Sequence, residues 1–234
     1  MSTLMIQERD GEKVVLRYRR TQRYVHFVLA TSFSLLLLSG LVLLWQPIGF
    51  LAAGSISRWI HRVAAIGFLA VPILYLVLDR RGARELVYES FKYDKDDWAW
   101  AKNVYRYFMG HAREMPPQGR LNAGQKLHHG AVILVSALTA VTGIILWFFV
   151  GSLSAAGLAW TVVLHDSAML ILTLLLIGHL YFTYVYKALS GMTTGWIEEV
   201  DARIEHPKWV AELEEETARA LAENSLDVDD DTEE

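Results

Sequence analysis

Cysteine is absent from the 234 residues. That removes disulfides, thiolate zinc sites, iron–sulfur ligation and the C-x-x-C-H attachment of c-type haem, so any metal centre must draw on His or carboxylate. Charge is also scarce. Only 21% of residues are Asp, Glu, Lys or Arg, and none lies between Arg23 and Arg58. The formal net charge is -4, but eleven acidic residues against one basic, Arg219, fall between Glu212 and Glu234. The chain lacks the basic surface that nucleic acid demands, and no nucleic-acid partner is expected. A flavin-type G-x-G-x-x-G is missing too, as is any internal repeat.

What remains is apolar. Hydrophobic residues make up 53% of the chain and its mean hydropathy is +0.25, which favours a membrane protein over a soluble globule. Phe27 to Trp45 has about the ~20 apolar residues that cross a bilayer. The charge-free run that holds it follows 23 mostly polar residues and lacks a small-residue cleavage site, so it reads as a span rather than a signal peptide. Pro47, Gly49, Gly54, Ser55 and Ser57 break the run before a second span, which ends at Asp79, Arg80, Arg81 and Gly82. Pro72 inside it is expected to kink it. Two more spans follow, separated by the uncharged Gly151–Gly157 turn.

The expected fold class is an all-α integral membrane protein: a four-transmembrane-helix bundle with spans at about 25–46, 58–78, 128–150 and 160–187 within a 25–187 membrane domain. Residues 1–24 form an N-terminal segment and 79–127 an amphipathic interfacial one. There Tyr88, Phe91, Tyr93, Trp98, Trp100, Tyr105, Tyr107 and Phe108 alternate with Lys and Arg, a pattern suited to lipid headgroups. Residues 188–234 form an acidic tail expected to be partly disordered. Six Lys or Arg precede the first span, ten lie between Asp79 and Lys126 and four follow the last; the other side has only Arg58 and Arg62. The positive-inside rule therefore puts both termini in the cytoplasm.

Ionisable residues within spans are costly and are functional candidates by default. Depth pairs His61 with His165 towards the outer face and His26 with His179 towards the inner face. On the fourth span, His165 and His179 are fourteen residues apart, which leaves them on one helical face and separated by ~21 Å along the axis. Two such bis-His sites suit b-type haem better than zinc, which gathers three or four ligands at one point. His128 and His129 remain alternatives to His26, Asp166 could orient His165 or face water, and His111 and His206 read as surface residues. Gly40, Gly67, Gly143 and Gly178 allow close approach of helices or of a flat ring.

With these residues in view, the chain resembles the gamma subunit, a cytochrome b, of membrane-bound formate dehydrogenases. The resemblance rests on Arg19, Gln22, Arg23 and His26; on R-W-I-H-R around His61; on N-A-G-Q-K from Asn122 to Lys126; on the His165/His179 spacing; and on Gly191, Gly195, Trp196, His206, Pro207 and Trp209. It implies two haem b groups, the outer held by His61 and His165 and the inner by His26 and His179. It also implies propionate contacts, from Arg23 at the inner haem and from Arg58 or Arg62 at the outer, and a menaquinone or ubiquinone site involving Asn122, Gly124 and Gln125 with His179. Electrons would come from an outer-side iron–sulfur subunit, itself served by a catalytic molybdenum- or tungsten-pterin subunit, in the bacterial inner membrane and within a possible higher oligomer. His128, His129 and the acidic tail depart from the family pattern. The looser resemblance to nickel–iron hydrogenase cytochrome b subunits gives the nearest alternative, and a haem-free anchor or proton-relaying transporter is the alternative of another class.

Overall fold

The computed structural model describes residues 5–9, 11–52 and 55–230. Gly54 of the expected break, and Asp231 to Glu234 of the acidic tail, lie outside the described residues. In chain order the elements are β1 (Ile6–Arg9), β2 (Glu12–Leu16), α1 (Arg20–Leu44), α2 (Ile56–Leu78), α3 (Arg80–Phe91), α4 (Lys95–Lys102), α5 (Val104–Phe108), α6 (Ala123–Phe148), α7 (Ala155–Val185), α8 (Leu189–Thr193), β3 (Trp196–Glu198), α9 (Glu199–Glu205) and α10 (Pro207–Asp230). Helices α1, α2, α6 and α7 are each long and apolar enough to cross a membrane. The protein is thus an all-α integral membrane protein with one small sheet.

The chain divides into two units. A span unit comprises residues 20–88 and 128–181. Few of its side chains are buried, and those that are tend to be small: Ser32, Ser39, Ser57, Ala64, Thr142 and Ala168. Small residues let backbones approach closely where apolar driving force between helices is weak. A Cβ on Gly67 of α2 would sit 2.5 Å from Ser32 Oγ of α1, so any larger residue at that crossing would force the Ser32 hydroxyl to turn away. Ser57 Oγ donates to the Ser39 carbonyl at 3.2 Å and ties the start of α2 to α1. Pro72 lies inside α2, which continues to Leu78. Asp79 then accepts the Gly82 amide at 2.9 Å and caps the first turn of α3.

A polar unit is formed by the described residues of 1–19, 89–127 and 182–234. Its antiparallel sheet runs β1-β2-β3, with Val14 opposite Glu198 and Leu16 opposite Trp196. Val15, Ala202, Trp209, Val210 and Leu213 pack beneath it. A second cluster gathers Trp100, Tyr107, Ala112 and Ala123 with Phe182 and Tyr186. Trp100 and Tyr107 therefore leave the headgroup-facing set assigned to 79–127 and enter a core. Tyr88, Phe91, Tyr93, Trp98, Tyr105 and Phe108 remain exposed. The short helices α4 and α5 turn different faces inward, which a count of aromatics does not resolve. The Asp94/Asp97 capping box starts α4, and the buried Asp97 pairs with Lys126 Nζ at 2.7 Å. The acidic C-terminal segment is helical as far as Asp230, where its composition suggests partial disorder. Ala and Leu favour helix, and i,i+4 pairs such as Arg219–Glu215 offset like-charge repulsion.

Candidate functional site

Helix α2 supplies His61 and α7 supplies His165, both half-buried and close enough to interact electrostatically. Each ring is held the same way. Ser39 Oγ on α1 lies 2.9 Å from His61 Nδ1, and Thr142 Oγ1 on α6 lies 2.9 Å from His165 Nδ1. Each hydroxyl already donates its proton along its own helix, Ser39 to the Leu35 carbonyl at 2.6 Å and Thr142 to the Leu138 carbonyl at 2.8 Å. It can then only accept from the imidazole, which fixes the Nδ1–H tautomer and leaves the Nε2 lone pair available to a metal. The next residue in each case is glycine. A Cβ on Gly40 would lie 3.6 Å from His61 Cε1, and one on Gly143 3.3 Å from His165 Cε1. A hydroxyl–glycine pair on one helix thus fits an imidazole on its neighbour twice over. Asp166 adds an electrostatic interaction with His165, but the hydrogen bond comes from Thr142.

Three imidazoles meet elsewhere in the same unit. His26 of α1 and His179 of α7 have ring centroids 6.1 Å apart at 50°. His128 of α6 stacks on His179 at 5.4 Å and 15°, and His129 meets His128 edge-on at 5.9 Å. A metal binds imidazole in the ring plane, so two rings on opposite sides of one ion, with metal–nitrogen bonds of ~2 Å, have centroids about 6 Å apart. His26 and His179 have about that separation, while the near-parallel His128 ring lies closer to His179, at 5.4 Å. The buried Nδ1 of His26 has no hydrogen-bond partner among the described residues. Of the arginines, Arg23 is half-buried in the first turn of α1, while Arg58 and Arg62 are exposed near the start of α2. The Arg62 guanidinium lies over the Trp59 and Trp147 rings, 5.7 Å from each centroid.

The Asn122–Lys126 motif forms the start of α6 in the polar unit. Asn122 Oδ1 accepts the Gln125 amide at 2.8 Å and Gln125 Oε1 accepts the Asn122 amide at 3.1 Å, a reciprocal capping box. Gly124 is needed because Trp100 packs on it; a Cβ there would sit 2.8 Å from the indole. Asn122 has one polar group left over. Its Nδ2 donates at 3.2 Å to the Tyr107 hydroxyl, which donates at 3.1 Å to Glu205 Oε2. Burial pushes Glu205 up to about 7, with Asp201 adding to the rise and Tyr107 and Arg17 opposing it. Burial and the neighbouring Glu205 and Tyr186 also raise Tyr107, which stays a phenol.

His206 is a correction: it is buried rather than on the surface, its Nδ1 2.8 Å from the Gly119 carbonyl and its ring edge-on to Trp209. Burial, with Arg17 beside it, holds it well below the usual histidine range and therefore neutral. His111 is exposed as expected. Ser39, Thr142, Tyr107 and Glu205 were not singled out by the sequence, where only the Ser-Gly and Thr-Gly dipeptides at positions 39–40 and 142–143 hint at the first two.

Four apolar spans with imidazoles presented in pairs define a multi-pass membrane cytochrome of the b type. The donor chemistry fits haem: neutral nitrogen ligands, no thiolate, and glycines beside the rings. Residues 17–195 match the family described as prokaryotic cytochrome b561, and the chain belongs to that family. Among curated proteins it is similar to the cytochrome b556(fdo) subunit of formate dehydrogenase from Escherichia coli K12, 27% identical over 88% of this chain and 96% of the relative. It is also similar to the formate dehydrogenase cytochrome b556 subunit of Haemophilus influenzae, 26% identical over 88% and 86%. The nitrate-inducible Escherichia coli counterpart is 23% identical over 92% and 98%.

Proposed function

We propose that this chain is the electron-transfer subunit of a formate dehydrogenase-type complex in the bacterial inner membrane, with both termini cytoplasmic. It takes electrons from an iron–sulfur subunit on the outer side, fed by a molybdenum- or tungsten-pterin subunit, and delivers them to menaquinone or ubiquinone near the cytoplasmic side. His61 and His165 hold an outer haem b, His26 and His179 an inner one, with Arg23, Arg58 and Arg62 placed to meet propionates. When bound, haem supplies reversible one-electron transfer in low-dielectric surroundings. The chain's residues fix imidazole tautomer and orientation and supply cations that offset the burial of carboxylates. Asn122, Gly124 and Gln125 belong to the quinone site, with Asn122 offering its second Nδ2–H to a quinone carbonyl. The observation that carries this reading is the matched pair of clasps, Ser39–His61 and Thr142–His165.

The purified protein in mild detergent is expected to give a b-type α-band in a reduced-minus-oxidised spectrum; a featureless difference spectrum would end the proposal. Ser39→Ala and Thr142→Val are expected to retain both haems but raise the outer midpoint potential. Losing the hydrogen bond from Nδ1 makes the ligand less basic and stabilises ferric iron less. A spectroelectrochemical titration identical to wild type would show that the hydroxyls have no electronic role. Asn122→Ala is expected to slow quinone reduction about tenfold, chiefly through KM, while partner-driven haem reduction is unchanged. Stopped-flow traces of the two half-reactions measure both rates.

A further inference from the structure

We propose that Glu205 and Tyr107 form the proton-delivery pair for quinone reduction, drawing protons from a surface cavity of the polar unit and passing them from Tyr107 to a quinone held beside Asn122. The inference rests on the quinone reading of Asn122 and extends it to residues outside the motif. Glu205 has two exposures. Glu205, whose side chain is 13% exposed, lines a surface cavity of about 330 Å³ together with His111, Arg113, Glu114, Lys187 and Asp201. Away from that cavity it meets Tyr107, which is 5% exposed, and through it Asn122, which is 1% exposed. A carboxyl with one side towards water and the other on a buried phenol–amide chain is placed for proton transfer.

The chemistry balances. Reduction of a quinone by two electrons, supplied one at a time from the haem side under the proposed function, needs two protons to give the quinol. For each proton, the protonated Glu205 carboxyl turns to donate to the Tyr107 oxygen, reversing the hydrogen bond seen in the structure and freeing the phenol O–H. That O–H bond then breaks as a bond forms to a quinone oxygen, and the phenol is remade in concert from the Glu205 carboxylic acid. The resulting carboxylate is reprotonated from water in the cavity. Tyr107 never has to persist as phenolate, which burial beside Glu205 disfavours. The groups facing Glu205 are Tyr107 of α5, Arg17 after β2, Asp201 of α9 and the adjoining His206. His111, Arg113 and Glu114 of the turn after α5, and Tyr186 and Lys187 at the end of α7, line the cavity. With the acid near neutrality, the protonated donor is populated below about pH 7 and lost above it.

The test uses the intact complex with its haems pre-reduced, following their reoxidation by decylubiquinone and by menadione between about pH 5.5 and 9. Wild type is expected to slow as pH rises through neutrality. Glu205→Gln and Tyr107→Phe are expected to be slowed about tenfold or more, with kcat reduced and KM for the quinone unchanged, and Glu205→Gln is expected to lose the pH dependence. Glu205→Asp should recover part of both. Haem spectra and reduction by the partner report that each variant is intact; if Glu205→Gln does not assemble, Tyr107→Phe and the wild-type solvent isotope effect decide. A wild-type rate and pH profile in Glu205→Gln and Tyr107→Phe, with Asn122→Ala still slow, overturns the relay and leaves the quinone site standing. Unchanged turnover in all three variants removes the quinone site and the relay with it.

Discussion

Replacing His165 with alanine is expected to cut the haem content of the purified protein from two per chain to one, with the surviving haem spectrally unchanged. Its ring lies fourteen residues from His179 on the same helix, so the change is remote from the inner set. Under the proposed ligation, an outer haem would then be held by His61 alone; Gly143 would provide no replacement donor, and the Thr142 oxygen would be too poor a ligand to substitute. His61→Ala should lose the same haem. The strongest form of the prediction is non-additivity: the double variant should still retain one haem, because both imidazoles serve one iron. Pyridine haemochrome quantification against protein measures all three. Retention of two haems in His165→Ala, or complete loss in the double variant, would refute the pairing.

An equally large effect separates the inner imidazoles. His26→Ala is expected to abolish the inner haem, whereas His128→Ala should keep it and alter only its potential or band shape. The difference is one of spacing. The His26 and His179 rings are 6.1 Å apart, about the separation two imidazoles on one iron would need, while the near-parallel His128 ring is closer to His179, at 5.4 Å. Haem counting and low-temperature spectra of both variants distinguish the outcomes, and loss of the inner haem in His128→Ala with retention in His26→Ala would exchange their roles.

Much of this was legible in the residue order because bilayers impose a coarse code. A span needs a long charge-free run, and charges mark its ends; hence α1, α2, α6 and α7 stand out. The His165/His179 relation follows from helical pitch alone. Long-range polar contacts left no such trace. Ser39 and Thr142 read as hydroxyls bonded back to their own helices, which they are, and only the neighbouring helix reveals the second bond. Tyr107 was grouped with headgroup aromatics because interleaving with cations does not say which ring turns inward. Glu205 sits in a charged stretch, and nothing local marks it as the buried member. His206 looked like a loop residue beside proline; its partner, the Gly119 carbonyl, lies in a distant segment. The sheet was missed because its strands are three to five residues long and rich in Glu and Lys, and β3 follows its partner β2 by most of the chain.

That last separation dictates an order of synthesis. The polar unit is assembled from three stretches, the last beginning at Phe182, in the closing turn of the final span. While the ribosome is still translating, β2 has no β3 to pair with, and Tyr107 and Asn122 wait for Glu205. Non-local closure of this kind is slow. The membrane segments are therefore delivered first, and the aqueous-facing chemistry is completed only when the nascent chain is nearly finished.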